Sequence, residues 1–194
     1  TDYQIELSIS ETSTWYSNTF SITNTSSSTT YDYKWFSSDS TGGPTYSWVD
    51  TSSSFTTVPI NDDDANSGAL PIGFTFNYYG TDYTNFKVCT NGWISFTSNN
   101  TDHYNQSLPS YNSPENILAP LWDDLHFRGT NKAYYYSDSS KLVVSFLGVD
   151  SYNAQISDTL TFQVILRSSG RILYQYQKLT NLSYLTPTVG YQDL

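Results

Sequence analysis

The sequence predicts an all-β protein: an antiparallel β-sandwich of jelly-roll or immunoglobulin-like character with an N-terminal strand extension. Three observations carry this. Short segments with strict apolar/polar alternation, the period of a half-buried strand, recur along the chain. Clusters of Gly, Asn, Asp and Ser separate them at hairpin spacing. The composition is 17% aromatic with 18 Tyr and 5 Trp, and aromatic and β-branched residues suit a pleated surface better than a helix. No long segment has a 3.6-residue period. The 194 residues leave room for one large β domain or two small ones.

The elements follow in order. Tyr3, Ile5, Leu7 and Ile9 alternate with Gln4, Glu6 and Ser8. Trp15, Phe20 and Ile22 predict a second strand, and Thr23 to Thr30 reads as a flexible Ser/Thr linker. Thirty residues cannot enclose a core. Residues 1–30 are therefore read as an extension that packs on the main domain, residues 31–194, or on a neighbour. Tyr33 and Trp35 lead to a Gly42-Gly43-Pro44 turn, then Tyr46 and Trp48. Phe55 and Val58 predict a short strand, and Asn61 to Gly68 a polar loop.

Leu70 to Phe96 is the centre of the pattern. Ile72, Phe74 and Phe76 alternate, Tyr79 to Asp82 is turn chemistry, and Phe86 and Val88 alternate again. Asn91-Gly92 predicts a type I′ hairpin, because both residues tolerate positive φ. Trp93, Ile94 and Phe96 return. Thr97 to Glu115 is a long loop of the kind that often forms a contact surface. Ile117 to Leu125 is apolar with a break expected at Pro120. Tyr134 and Tyr136 pair with Leu142, Val144 and Phe146 around Asp138 to Ser140. Leu160, Phe162, Val164 and Leu166 turn at Ser168-Ser169-Gly170 into Ile172, Tyr174 and Tyr176. Val189-Gly190-Tyr191 is the last short strand.

Charge excludes several partners. The net charge is −10, and Lys and Arg together number 8. Phosphate binding by counterion release needs clustered cations, so nucleic acid is not expected. Anionic lipid is excluded by the same scarcity, and no 18-residue apolar run predicts membrane insertion. A single Cys rules out an internal disulfide framework. Cys89 lies in strand phase, which predicts a buried inert thiol. The chain begins Thr1-Asp2-Tyr3, read as a mature product whose signal peptide was removed. Four N-x-S/T sequons, at Asn24, Asn99, Asn105 and Asn181, are glycosylation candidates and favour an extracellular or cell-surface setting.

Candidate chemistry is sparse. Asp62, Asp63 and Asp64 are weak calcium candidates, since Ca²⁺ wants several carboxylate and carbonyl oxygens. Their spacing is not that of a calcium loop, and no other cofactor is expected. Asp123-Asp124 suits a turn in which a carboxylate accepts backbone N–H bonds. His103 and His126 lack a zinc-type partner pattern, and no G-x-S-x-G elbow occurs. No catalytic residue is assigned. A carboxylate hydrolase, which needs two carboxyls roughly 5–9.5 Å apart, ranks last. Trp15, Tyr16, Tyr78, Tyr79, Tyr104 and Tyr111 are read as loop or strand-end aromatics. Tyr104 and Tyr111 are the candidates for stacking on sugars or contacting protein.

Several segments taken together resemble a known module. They are GGPTYSWVD (42–50), LPIGFTFNYYGTDYTNFKVCTNGWISF (70–96), ILAPLWDDL (117–125), AYYY (133–136), LVVSFLGV (142–149), LTFQVILRSSGRILYQY (160–176) and TVGYQD (188–193). Their ordered combination is similar to the nidogen-like extracellular β domain of bacterial and archaeal surface and secreted proteins. The resemblance runs from about Tyr31 to the end. It implies a β-sandwich that serves as a non-catalytic accessory in adhesins and secreted proteases. The segment TFSITNTSSSTTYDYKW also resembles the strand of Ig-like modules that precede such domains. The chain departs from the family pattern at both ends, with a strand extra at the front and a strand short at the back.

These departures suggest an assembly. A sandwich lacking a strand exposes an edge that templates pairing, and Tyr3, Ile5, Leu7 and Ile9 have the alternation of a donor strand. Donation to the next identical subunit is head-to-tail and generates an open filament. The leading expectation is a non-catalytic extracellular, pilus-like homopolymer. The alternative is a carbohydrate-binding or adhesive accessory module using the 97–115 loop, with glycans as partners.

Overall fold

The computed structural model describes residues 19–24, 33–128, 132–152, 159–180 and 185–193. Among them lie thirteen strands and no helix: β1 (Thr19–Asn24), β2 (Tyr33–Ser37), β3 (Thr56–Thr57), β4 (Leu70–Tyr78), β5 (Thr81–Cys89), β6 (Trp93–Ser95), β7 (Ile117–Trp122), β8 (Leu125–His126), β9 (Ala133–Ser137), β10 (Lys141–Ser151), β11 (Leu160–Arg167), β12 (Ile172–Lys178) and β13 (Thr188–Gln192). They form two antiparallel sheets. The larger runs β2-β1-β12-β11-β10-β9-β3, with β8 pairing the far end of β10, and the smaller runs β13-β7-β6-β5-β4. The sandwich expected from alternation is therefore the observed fold.

The inward positions are the predicted ones. Phe86, Val88, Ile94, Leu118 and Leu121 of the small sheet face Val144, Phe146, Phe162, Val164, Tyr174 and Tyr176 of the large one. Each such burial contributes about 1.5–3 kcal/mol relative to exposure. Tyrosine hydroxyls reach across the layer to backbone carbonyls. Tyr33 donates to Asn77 O (3.2 Å), Tyr174 to Gly190 O (2.9 Å) and Tyr176 to Pro120 O, while Tyr191 donates back to Tyr33 O (3.0 Å). A buried hydroxyl without a partner costs about 1–3 kcal/mol, so these bonds permit a core this rich in tyrosine.

Two turns exchange the roles expected of them. The type I′ signature falls at Tyr79-Gly80, both at positive φ (47° and 83°), between paired Tyr78 and Thr81. At Asn91-Gly92 only Gly92 has positive φ (76°), and Cys89 pairs with Trp93, which leaves a three-residue loop. A three-residue hairpin needs one left-handed residue. Gly is required there twice over, because a Cβ on Gly92 would sit 2.0 Å from Leu121 O. Pro120 does not break its strand. It lies inside β7 where the register with β13 shifts between Thr188 and Gly190, and a bulge spares it a ladder donor.

The N-terminal extension is only partly within the described residues. Thr23 and Asn24, expected in a linker, belong to β1, which pairs with β2 on one side and β12 on the other. Tyr3, Ile5, Leu7, Ile9, Trp15 and Tyr16 lie outside the described residues.

Each sheet is also covered on its outer face. The segment 44–55 crosses the large sheet, packing Val49 and Phe55 on Val143, Ile165, Leu173 and Tyr136. The loop 97–116 covers the small sheet and buries Leu108 against Cys89, Trp93, Ile117, Ala119 and Trp122.

Candidate functional site

The most polar convergence lies at one end of the small sheet, around the β5–β6 turn. Asn91, fully buried, is its centre. Its Nδ2 donates to Asp64 Oδ1 (2.7 Å) and Thr101 O (3.0 Å), and its Oδ1 accepts from Leu125 N (2.9 Å). One side chain thus ties the 61–68 loop, the 97–116 loop and β8 to the turn. This role was missed in the sequence, where Asn91 reads as a turn former. Nothing local marks it as a buried amide.

Asp64 also meets His103 Nδ1 at 3.2 Å, and the His103 ring lies 4.0 Å from that of Tyr104. The fold thus joins Asp64 to Tyr104, candidates 40 positions apart in the sequence. Asp62 and Asp63 point elsewhere. Asp62 Oδ1 accepts from Asp63 N (2.9 Å). Asp63 Oδ1 and, across an isolated bridge, His126 Nδ1 are buried without a hydrogen-bond partner. Among the described residues no group of three His, Cys, Asp or Glu side chains is arranged to hold a metal.

Asp123 takes the turn role expected of it. Its oxygens accept from Asp124 N (2.8 Å) and Thr186 N (2.7 Å). Burial raises its pKa, and those two N–H bonds oppose the rise. Asp124 is raised as well, first by burial; His103 opposes this, while Asp63, Asp64 and Asp123 add to it. Cys89 is buried as expected, and burial pushes its thiol up to about 12. A thiol protonated at neutral pH is no nucleophile.

The long loop is braced rather than loose. Asp102 O accepts the indole N–H groups of both Trp93 (3.3 Å) and Trp122 (2.9 Å). Gln192 grips the loop from β13, accepting from Ser110 N (2.8 Å) and donating to Ser110 O and Pro114 O (both 3.2 Å). On this frame Tyr104 is 74% and Tyr111 93% exposed. Tyr78 and Tyr79 do not join them. Tyr78 is buried with its hydroxyl on Gln192 O (3.0 Å), and Tyr79 is half-buried against Tyr33 (5.0 Å). Their position beside the chain reversal had read as exposure, but the turn tucks both rings under β2.

The glycosylation candidates separate. Asn99 is exposed and Asn105 half-buried. Asn24 stands in β1 opposite Tyr33, and Asn181 lies outside the described residues.

Two antiparallel sheets with covered outer faces make an all-β sandwich module. The NIDO-related family model matches residues 32–194, and the chain belongs to that nidogen-related family. The family is a structural module rather than a known family of enzymes, and it indicates an extracellular context. No curated protein and no solved structure matches the chain significantly. Among the described residues no helix is long and apolar enough to cross a membrane.

Proposed function

We propose that this protein is a non-catalytic structural subunit of the cell surface that assembles into a filament by donating its N-terminal strand to the next copy. One observation supports the reading above others. The family match begins at residue 32, yet β1, which precedes it, lies between β2 and β12 inside the larger sheet. The sandwich thus accepts an N-terminal strand between two strands of the family domain. In one copy β1 itself fills the place between β2 and β12, so a strand from the next copy enters there by exchanging with β1. Tyr3 to Ile9, upstream of β1, carry strand-like alternation in the sequence and are the segment proposed for donation. Such a contact joins different surfaces of two copies and does not close, so it propagates. Main-chain bonds supply affinity, and alternate side chains supply register.

Electron microscopy of the native material beside a chain lacking Thr1 to Ser10 tests this. Filaments from the full chain and soluble particles from the truncated one are expected. A monodisperse full-length monomer overturns the proposal.

The exposed, braced pair Tyr104 and Tyr111 favours a second reading, an adhesive module that stacks on sugars. Tyr104→Ala with Tyr111→Ala would then lose glycan-array binding and keep assembly.

A further inference from the structure

We propose that Asn99 carries an N-linked glycan and that Asn105, although it too lies in a sequon, does not. Both lie in N-x-S/T sequons of the 97–116 loop, so the sequence treats them alike. The hydrogen bonds do not.

N-glycosylation forms a bond between Nδ2 and the anomeric carbon of an activated sugar. The bond from that carbon to the diphosphate of the donor breaks, the diphosphate leaves, and the nitrogen gives up one proton to solvent. A separate transferase presents the glycosyl diphosphate. The acceptor nitrogen must therefore have a hydrogen to lose and room for a sugar ring.

At Asn99 both conditions hold. The residue is exposed. Its Oδ1 accepts from Lys87 Nζ at 2.7 Å, and the same ammonium donates to Thr97 O. An ammonium only donates, so the atom facing Lys87 is the amide oxygen. The Nδ2 is left with no hydrogen bond among the described residues. Lys87 holds the amide by its oxygen and leaves the reactive atom uncommitted.

At Asn105 the amide is used the other way round. The residue is half-buried. Its Nδ2 donates to Thr186 O and to Thr188 Oγ1 (3.3 Å), and that hydroxyl donates onward to Gln106 O (3.0 Å). The Thr186 carbonyl only accepts, so the atom facing it is the nitrogen. Both amide hydrogens are committed to the contact between the loop and the start of β13. A sugar on this atom takes one of them and fills the space that Thr186 and Thr188 occupy. The inference rests on the extracellular setting and is independent of filament assembly.

The test is glycopeptide mass spectrometry of the protein purified from its own cells. Cleavage before Asp102 separates the two sequons, because Asp102 lies between them. The peptide ending at Thr101 is expected to carry sugar, and the peptide holding Asn105 to have its unmodified mass. Sugar on Asn105, or a bare Asn99, overturns the proposal. Two variants made in the same cells give a second reading. Asn99→Gln is expected to lose one glycan from the intact mass with an unchanged melting temperature. Asn105→Gln is expected to keep every glycan and melt lower. A glycan lost from Asn105→Gln sinks the assignment even where Asn99 is occupied.

Discussion

The two outer covers solve one problem in different ways. The 44–55 strap over the large sheet is extended, so it offers backbone groups but makes few bonds of its own. Two buried glutamines of the sheet supply them. Gln175 accepts from Ser47 N (2.8 Å) and donates to Ser47 O (2.9 Å). Gln163 accepts from Val49 N (3.3 Å) and donates to Val49 O. Each amide imitates the pair of bonds a neighbouring strand would make. The 97–116 loop needs one such clamp, Gln192, because it satisfies much of its own backbone through short turns. Examples are Asn100 Oδ1 with Asp102 N (2.7 Å) and Asp102 Oδ1 with Tyr104 N (2.9 Å). It adds the apolar ground of Trp93, Trp122 and Leu108. Both covers bury apolar side chains on the sheet and take polar partners from it. The extended one relies on two glutamine clamps, whereas the turned one needs one and supplies part of its own bonding.

That difference ranks the mutations. Trp122→Ala removes a fully buried indole from under the loop and is expected to cost about 3–5 kcal/mol in denaturant unfolding. It also takes one of two donors from Asp102 O. The thiol of Cys89 lies in the same cluster and is expected to resist alkylation in the native chain. In the Trp122→Ala protein it should label at a rate set by loop opening. Unchanged labelling would mean that the loop does not seal this cluster.

Gln163→Leu keeps most of the volume and removes the clamp on Val49. A lost buried hydrogen-bond partner costs about 1–3 kcal/mol, so the expected effect is smaller than that of the indole. Hydrogen exchange at Val49 should accelerate, with Ser110 unaffected. A loss as large as that of Trp122→Ala would overturn the distinction between the covers.

The sandwich was legible in the sequence because inward positions obey a two-residue period, and Phe162, Val164, Leu166 or Tyr174, Tyr176 announce it directly. The covers were not. Gln163 and Gln175 occupy outward positions of strands, where a polar residue ordinarily means solvent, and only a chain crossing 114 and 128 residues away in sequence buries them. Asn91 was misread for a related reason. Its pairing with Gly92 is a local signal, whereas its partners Asp64, Thr101 and Leu125 are brought by three separate segments. The turn at Tyr79-Gly80 was legible but its type was not, because Tyr79 takes positive φ at a position where Asn, Asp or Gly would have marked a type I′ turn. Of the candidate site, exposure at Tyr104 and Tyr111 was read correctly from loop position. The same reasoning failed at Tyr78, where strand phase governs.

The covers also differ in their carboxylates. Beside the loop, Asp123 is raised above its ordinary 3.8 by burial. Its proton is bound more readily in the folded chain, so its contribution to stability is present below the unfolded value and lost as pH rises through the folded one. Beside the strap, Asp138 is lowered by the Ser140 hydroxyl, the Ser140 N–H and the Tyr136 hydroxyl. Tyr136 in turn stacks on Phe55 of the strap at 5.5 Å. The contribution of Asp138 is present above the unfolded value and lost as pH falls toward the folded one. Carboxyl-carbon NMR titration should place Asp123 above 3.8 and Asp138 below it. Coincident midpoints would remove this electrostatic contrast.

The smallest effect is expected at the most exposed ring. Tyr111 buries almost nothing at 93% exposure, so Tyr111→Ala should change folding stability by no more than about 0.5 kcal/mol. Leu108, three residues earlier and 4% exposed, should cost about 2–5 kcal/mol when cut to Ala. The pair separates what the loop needs in order to fold from what it presents. A Tyr111→Ala protein that folds normally but loses a surface contact would assign this ring to recognition. A clear loss of stability would instead make it part of the cover, and the adhesive reading would lose its main support.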